Sequence, residues 1–204
     1  VRRPGRQTGD RRARRVAGDL RDEAFIDELF RQTRARHGGV DVLVNAAGLG
    51  HDAPLLGGST AAWREMLEVN VLGLSVATRE AIKDMRAGGA GHVIHISSMA
   101  GHRTPTGSGM YSATKYAVRA LTEGLRQELR AADSQVRITA ISPGFVETEF
   151  AAGYHQSEEA ASLTYGRYEC LQPGDVADSV VYALSRPPHM QIHDILMRPT
   201  HQAT

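Results

Sequence analysis

The chain has 204 residues, 41% of them hydrophobic, enough to bury the core of one domain. A formal net charge of +1 gives no global field that would draw nucleic acid or an anionic membrane, and no apolar run reaches the length of a bilayer span. The single cysteine, Cys170, excludes an internal disulfide and suits a reducing, cytoplasmic compartment.

Residues 1–15 hold seven arginines and one acid, the composition of a solvated basic arm. Residues 16–20 read as a short strand ending in Asp19-Leu20. Residues 22–37 place Phe25, Ile26, Leu29 and Phe30 on one face, a helical pattern stopped by Gly38-Gly39. Residues 40–44 form an apolar strand that runs into Asn45-Ala46-Ala47-Gly48. Ser59 or Thr60 can cap one long helix carrying Trp63, Met66, Leu67, Val71, Leu74 and Ile82, ended at residues 88–91. Residues 92–96 are a strand, and a loop with Gly101, Pro105, Gly107 and Gly109 leads to a helix over 112–132. A strand over 136–141 breaks at Pro143-Gly144, and residues 149–170 read as an irregular, partly helical lid. A helix over 175–185 and a strand over 192–197 close the chain. Short apolar strands alternating with helices predict an α/β fold, a parallel sheet covered on both faces. The whole chain, 1–204, reads as a single domain with no linker.

Chemistry concentrates around Tyr111-Ser112-Ala113-Thr114-Lys115, where a phenol and an ammonium four residues apart share a helix face. Such an ammonium favours phenolate, so the spacing predicts a Tyr111 pKa below its ordinary value, suited to giving or taking a proton. Only Lys83 and Lys115 among the basic side chains are lysines, and lysine where arginine is the habit suggests a site needing a compact ammonium. Thirteen residues before Tyr111 stands Ser98, at the end of a strand, placed to hydrogen-bond a substrate oxygen. Asn70, in Asn70-Val71-Leu72-Gly73, sits in a helical stretch where asparagine is a poor choice and can hold a kink or a water. His92 and His95 point to opposite sides of their strand, so no metal site is expected. No Gly-x-Ser-x-Gly elbow supports a serine hydrolase.

Taken together these motifs resemble the short-chain dehydrogenase/reductase family, from about residue 16 to the end. Asn45-Ala46-Ala47-Gly48 is similar to the family's Asn-Asn-Ala-Gly element, with Ala46 in place of the second asparagine. Asn70, Ser98, Tyr111 and Lys115 fall on its catalytic tetrad. Residues 143–148, with Pro143, Gly144, Val146 and Thr148, resemble the segment that holds the nicotinamide carboxamide, and Asp19-Leu20 the acid-plus-aliphatic pair beside the adenine. The resemblance implies a Rossmann-type doubly wound parallel sheet and an NAD(P)-dependent oxidoreductase. Tyr111 would be the general acid/base, and Lys115 would hold the ribose hydroxyls and lower the Tyr111 pKa. Ser98 would orient the carbonyl, and Asn70 would support a proton-relaying water. Asp19, Leu20, Asn45, Ala46, Gly48, Tyr111, Lys115, Pro143, Gly144, Val146 and Thr148 would contact the cofactor.

The family opens with a strand, a glycine-rich phosphate loop, a helix and a second strand, and no such loop precedes residue 16. The expectation is therefore a domain lacking the first strand, the first helix and most of the second strand, with residues 40–44 on an open sheet edge. The alternative to an active enzyme is a non-catalytic remnant acting as a binding or oligomer-partner protein. Arg2 and Arg3, read as the tail of strand 2, favour NADP over NAD by pairing with the 2′-phosphate. The ending, Gln191 to Thr200 with Arg186-Pro187-Pro188-His189, resembles a subgroup of NADP-dependent 3-hydroxy acid dehydrogenases, implying a small alcohol substrate of the 3-hydroxy acid kind. Tyr154, His155, Tyr165 and Arg167 are the lid residues nominated to touch it. The resemblance also implies a homodimer or homotetramer, built on the helices at 71–87 and 112–131.

Overall fold

The computed structural model describes residues 14–203. Four parallel strands form one sheet in the order β1 (Val42–Asn45), β2 (Gly91–Ile96), β3 (Val136–Pro143), β4 (Asp194–Met197). The register pairs Asn45 with His95, Ile96 with Ile141 and Pro143 with Met197. All strand C-termini therefore reach the same edge, where ligands of open α/β sheets bind.

On one face lie α1 (Glu23–His37), α3 (Leu74–Ala87) and α4 (Gly109–Ala131). Ile26 and Phe30 of α1, Ala77, Ala81 and Met85 of α3 and Leu129 of α4 pack on Val93, Val136 and Ile138. Each fully buried large side chain there contributes roughly 1.5–3 kcal/mol. The other face carries α7 (Pro173–Leu184), with Ala183 on Ile94 and Ile141. β1 is the edge strand, and Val42 and Val44 remain 44% and 40% exposed.

Local chemistry explains the element boundaries. Asp22 caps α1 by accepting from the Ala24 N–H, and Gly38 ends it at φ 75°, a left-handed conformation that suits glycine. Ser59 caps α2 (Thr60–Leu67), and Pro173 with a Gln172–Asp175 capping box starts α7.

Two expectations are corrected. Residues 16–20 are not a strand: residues 16–18 are exposed and no neighbouring strand among the described residues offers them a ladder. The single helix expected from residue 59 is α2, then a π-helical stretch over Glu68–Gly73, then α3. The wide turn carries Asn70, and Gly73 admits the Leu20 carbonyl, which a Cβ would meet at 2.6 Å. The lid is α5 (Phe150–His155) followed by α6 (Glu158–Tyr165). The basic arm and the Arg2-Arg3 pair lie outside the described residues, apart from residues 14 and 15.

Candidate active site

β2 delivers Ser98 to the C-terminal edge of the sheet, where it caps a short 3-10 turn, Met99–Gly101, by accepting from the Ala100 N–H at 3.1 Å. α4 runs behind it and presents Tyr111 and Lys115 in its first two turns. Ser98 lies near enough to the Tyr111 hydroxyl to favour its ionised form. Lys115 is buried; Nζ donates to the Ile96 carbonyl at 3.0 Å and stands 5.8 Å from the Tyr111 ring centroid. No carboxylate pairs with it among the described residues.

Asn70, buried in the π turn, joins two segments. Its Nδ2 donates to the Leu49 carbonyl (2.7 Å) and to Thr114 Oγ1 (3.1 Å), and its Oδ1 accepts from the Leu49 N–H (2.9 Å). Thr114 in turn donates to the Tyr111 carbonyl at 2.7 Å. Asn70 thus ties the loop after β1 to the helix that carries the phenol. Both amide protons are spent on protein, so only a second lone pair on Oδ1 remains for a water.

The expectation of a lowered Tyr111 pKa is corrected. Burial pushes the phenol up to about 12; Ser98 lowers it and Tyr154 raises it further. Lys115 Nζ stands 5.8 Å from the ring centroid, and its own burial brings it down to about 8. Desolvation outweighs the attraction that spacing alone suggests.

The nominated cofactor contacts divide. Gly48 and Thr148 line a cavity of about 660 Å³ at the sheet edge, together with Gly50, His51, Glu65 and Tyr154. Ala46 and Gly48 are exposed, and a Cβ on Gly48 would stand 3.4 Å from Lys115 Nζ and 3.5 Å from Asn70 Oδ1. Pro143 ends β3. The Gly144 N–H donates to the Met197 carbonyl at 2.7 Å, and Val146 bridges to Leu171. Asp19 is exposed and held by Arg21, whose Nη2 lies 2.6 Å from Oδ2, and Leu20 packs against the α1–α3 core. Arg21 reaches Glu65 at 3.3 Å, and Glu65 holds His51 at 2.7 Å, so Asp19 connects to the cavity rim through an ionic chain.

The short chain dehydrogenase profile matches residues 4–159. The chain belongs to the short-chain dehydrogenase family. Among its relatives, "Dehydrogenase/reductase SDR family member 11" of Bos taurus is 54% identical over 91% of this chain and 75% of the relative. "Farnesol dehydrogenase" of Aedes aegypti is 37% identical over 90% of this chain and 74% of the relative. A solved serine dehydrogenase, in its closed form with NADP+, superposes with a TM-score of 0.86 at 34% identity, covering 91% of this chain and 75% of that one. The protein is thus a dehydrogenase/reductase by family, and no helix among the described residues is long and apolar enough to cross a membrane.

Several residues of this short-chain dehydrogenase site escape a reading by spacing. Asn45 Nδ2 donates to Thr78 Oγ1 (2.9 Å), which meets His95 Nε2 (3.1 Å), while His95 Nδ1 meets Thr122 Oγ1 (2.9 Å). Thr78 and Thr122 also approach the carbonyls of Leu74 and Val118 at 2.7 and 2.8 Å. If both hydroxyls donated to those carbonyls, both imidazole nitrogens would have to donate, which requires the imidazolium. Burial and then Lys115 hold His95 down at about 4, so it is neutral and one threonine turns its proton toward the ring. The relay fastens β1 and α3 to α4 across β2. Its only sequence signal was a histidine on the buried face of a strand.

On the lid, the Tyr154 ring lies 6.2 Å and the Phe150 ring 5.4 Å from the Tyr111 ring. Of the nominated lid residues, Tyr154 lines the cavity and His155 packs on Tyr154 at 5.0 Å. The Tyr165 hydroxyl accepts from the Ala151 N–H at 3.3 Å, joining α6 to α5, and Arg167 is exposed. Phe150 was not foreseen.

Proposed function

We propose that the protein interconverts a small alcohol and its carbonyl with NADP, or otherwise NAD, using Tyr111 as the general acid/base. The supporting observation is the meeting of three groups: the Tyr111 hydroxyl, Ser98 beside it, and the buried Lys115 one helical turn behind. The donor set fits a nicotinamide cofactor. Lys115 spends one N–H on Ile96, faces the exposed strip at Gly48, and can direct the others to a pair of ribose hydroxyls. Thr148 at the cavity wall suits a carboxamide, and Asp19, Leu20, Asn45, Ala46, Pro143, Gly144 and Val146 supply the surrounding frame. When bound, the cofactor supplies or accepts the hydride.

Ser98 then holds the substrate oxygen, and Tyr111 gives it a proton in reduction or takes one in oxidation. The Lys115 ammonium favours phenolate and so would act against the burial that pushes the phenol up to about 12. Asn70 fixes the geometry through Leu49 and Thr114 and offers Oδ1 to a relaying water.

The NADP-bound serine dehydrogenase favours NADP and keeps a 3-hydroxy acid among the substrates to assay, while the farnesol dehydrogenase adds an apolar primary alcohol. A homodimer or homotetramer fits the exposed Leu72, Tyr116 and Leu121 on the π turn and α4, and a cytoplasmic setting fits the free, buried Cys170.

The test is Tyr111→Phe. It should bind NADPH by calorimetry as the parent does and lose about 10²–10⁴ in turnover, the range for removing a general acid/base. Parental turnover in that variant would sink the assignment.

A further inference from the structure

Gly50 is buried and its backbone is not in the left-handed region, so nothing in its φ calls for glycine. What calls for it is space. A Cβ at Gly50 would lie 2.7 Å from Tyr154 Cδ2, 2.9 Å from Phe150 Cζ and 3.1 Å from Tyr111 Cδ2. Three rings from two helices converge on one bare Cα. The Asp52 N–H just beyond donates to the Tyr154 carbonyl at 3.0 Å, so the loop after β1 also grips the backbone of α5. Phe150 and Tyr154 are stacked at 6.0 Å and 29°, forming one aromatic wall between the cavity and the phenol.

We propose that Gly50 is a positioning residue for substrate selection: its bare Cα is the seat on which Phe150 and Tyr154 close over Tyr111, and the room left there limits the carbon skeleton that reaches the phenol hydroxyl. This rests on the reading of Tyr111 as the acid/base. A methyl group at position 50 has to move something. α4 is a 23-residue helix fastened by Lys115 and Thr114, whereas α5 has six residues and Phe150 is 36% exposed. The wall yields, and the space over Tyr111 widens. Water entering there also stabilises phenolate. The polar groups facing the Tyr111 side chain are Ser98 beyond β2, Lys115 on its own helix and Tyr154 on α5, with Asp52 acting on Tyr154, and none is removed by the change.

The experiment uses the full chain with Gly50→Ala and, separately, Phe150→Leu, which thins the wall from the lid side without crowding the seat. kcat and KM are measured with NADP over secondary alcohols of increasing bulk, and tyrosine ionisation is followed by ultraviolet absorbance against pH. Both variants should shift the kcat/KM ratio of bulky over small alcohols upward by about tenfold, the lower end of what one methylene discriminates in a pocket. One tyrosine should also titrate earlier, moving from about 12 toward 10.0. Folded variants with the parental ratio and the parental titration overturn the proposal. If Gly50→Ala fails to fold, Phe150→Leu decides alone. Should Tyr111→Phe keep its turnover, the acid/base reading fails, yet the titration still reports whether the rings seat on Gly50.

Discussion

Tyr111 is held from two sides that are built by opposite means. The inner side is a long helix whose groups are tied by buried hydrogen bonds: Lys115 to Ile96, Asn70 to Leu49 and Thr114, and the threonine–histidine relay across β2. The outer side is the short helix α5, whose Phe150 and Tyr154 rings meet Tyr111 over Gly50 and whose Tyr154 carbonyl accepts one backbone bond from Asp52. Directional bonds in a dry interior fix positions to fractions of an ångström, which proton transfer needs. Ring contacts on an exposed segment exclude water and still permit exchange of ligand. On the proposed reading chemistry belongs to the inner side and selection to the outer one, and substitutions on each side should fail in different ways.

The largest effect is expected at the centre of the inner side. Lys115→Arg keeps the charge but replaces a compact ammonium, tucked against the Ile96 carbonyl, with a wider planar fork. Turnover should fall by at least about 10²-fold, as for loss of a general acid/base group, while circular dichroism stays parental. Wild-type turnover in that variant would mean that a cation of any shape serves, and the inner side would lose its claim to tight geometry.

How far the sequence predicts this contrast follows the same line. The grouping of Tyr111, Lys115 and Ser98 at one end of the sheet was readable because it lies in short spacings on one helix and at one strand end. Asn70 was readable as an oddity in a helix, and the π turn supplies the reason. Gly50 was not, because its role depends on rings 100 and 104 positions later, whose approach only the fold provides. Residues 16–20 carry strand-like apolarity, but a strand is a pairing, and pairing partners are not written in the segment itself. The direction of the Tyr111 shift was misjudged for a related reason: spacing gives the neighbour and says nothing of burial, and here burial is the larger cause.

A middle-sized effect is expected where the two sides are joined. Asn70→Ala strands the Leu49 N–H and carbonyl and removes a donor from Thr114. Each buried group left unpaired costs roughly 1–3 kcal/mol. Water can reach the half-buried Leu49, so the total should stay near 2 kcal/mol by urea unfolding, less than the sum of three lost bonds. A larger activity loss than Lys115→Arg produces would show that Asn70 handles the proton path as well as the geometry.

The smallest effect tests whether the inner side's rigidity is electrostatic as well as packed. Glu80 on α3 is buried, and Arg34 of α1 bonds both Glu80 (3.1 Å) and Asp84 (2.7 Å). Burial alone would raise the Glu80 carboxyl; the hydrogen bonds from Lys83, Arg34 and Arg79 overcome it and hold it at about 2, against 4.5 for an unperturbed glutamate. A carboxyl depressed on folding stabilises above its unfolded pKa and loses that contribution as pH falls through the folded one. Glu80→Gln should therefore lower stability at pH 7 by about 1–2 kcal/mol, discounted from the full linkage because three of its cationic partners reach solvent. The gap between variant and parent should shrink as pH drops from about 4.5 toward 2. Urea unfolding at several pH values checks this. A gap that stays constant down to pH 2 would place the tie between α1 and α3 in the Ile26, Phe30 and Ala81 packing alone, leaving the ions as surface decoration on an apolar joint.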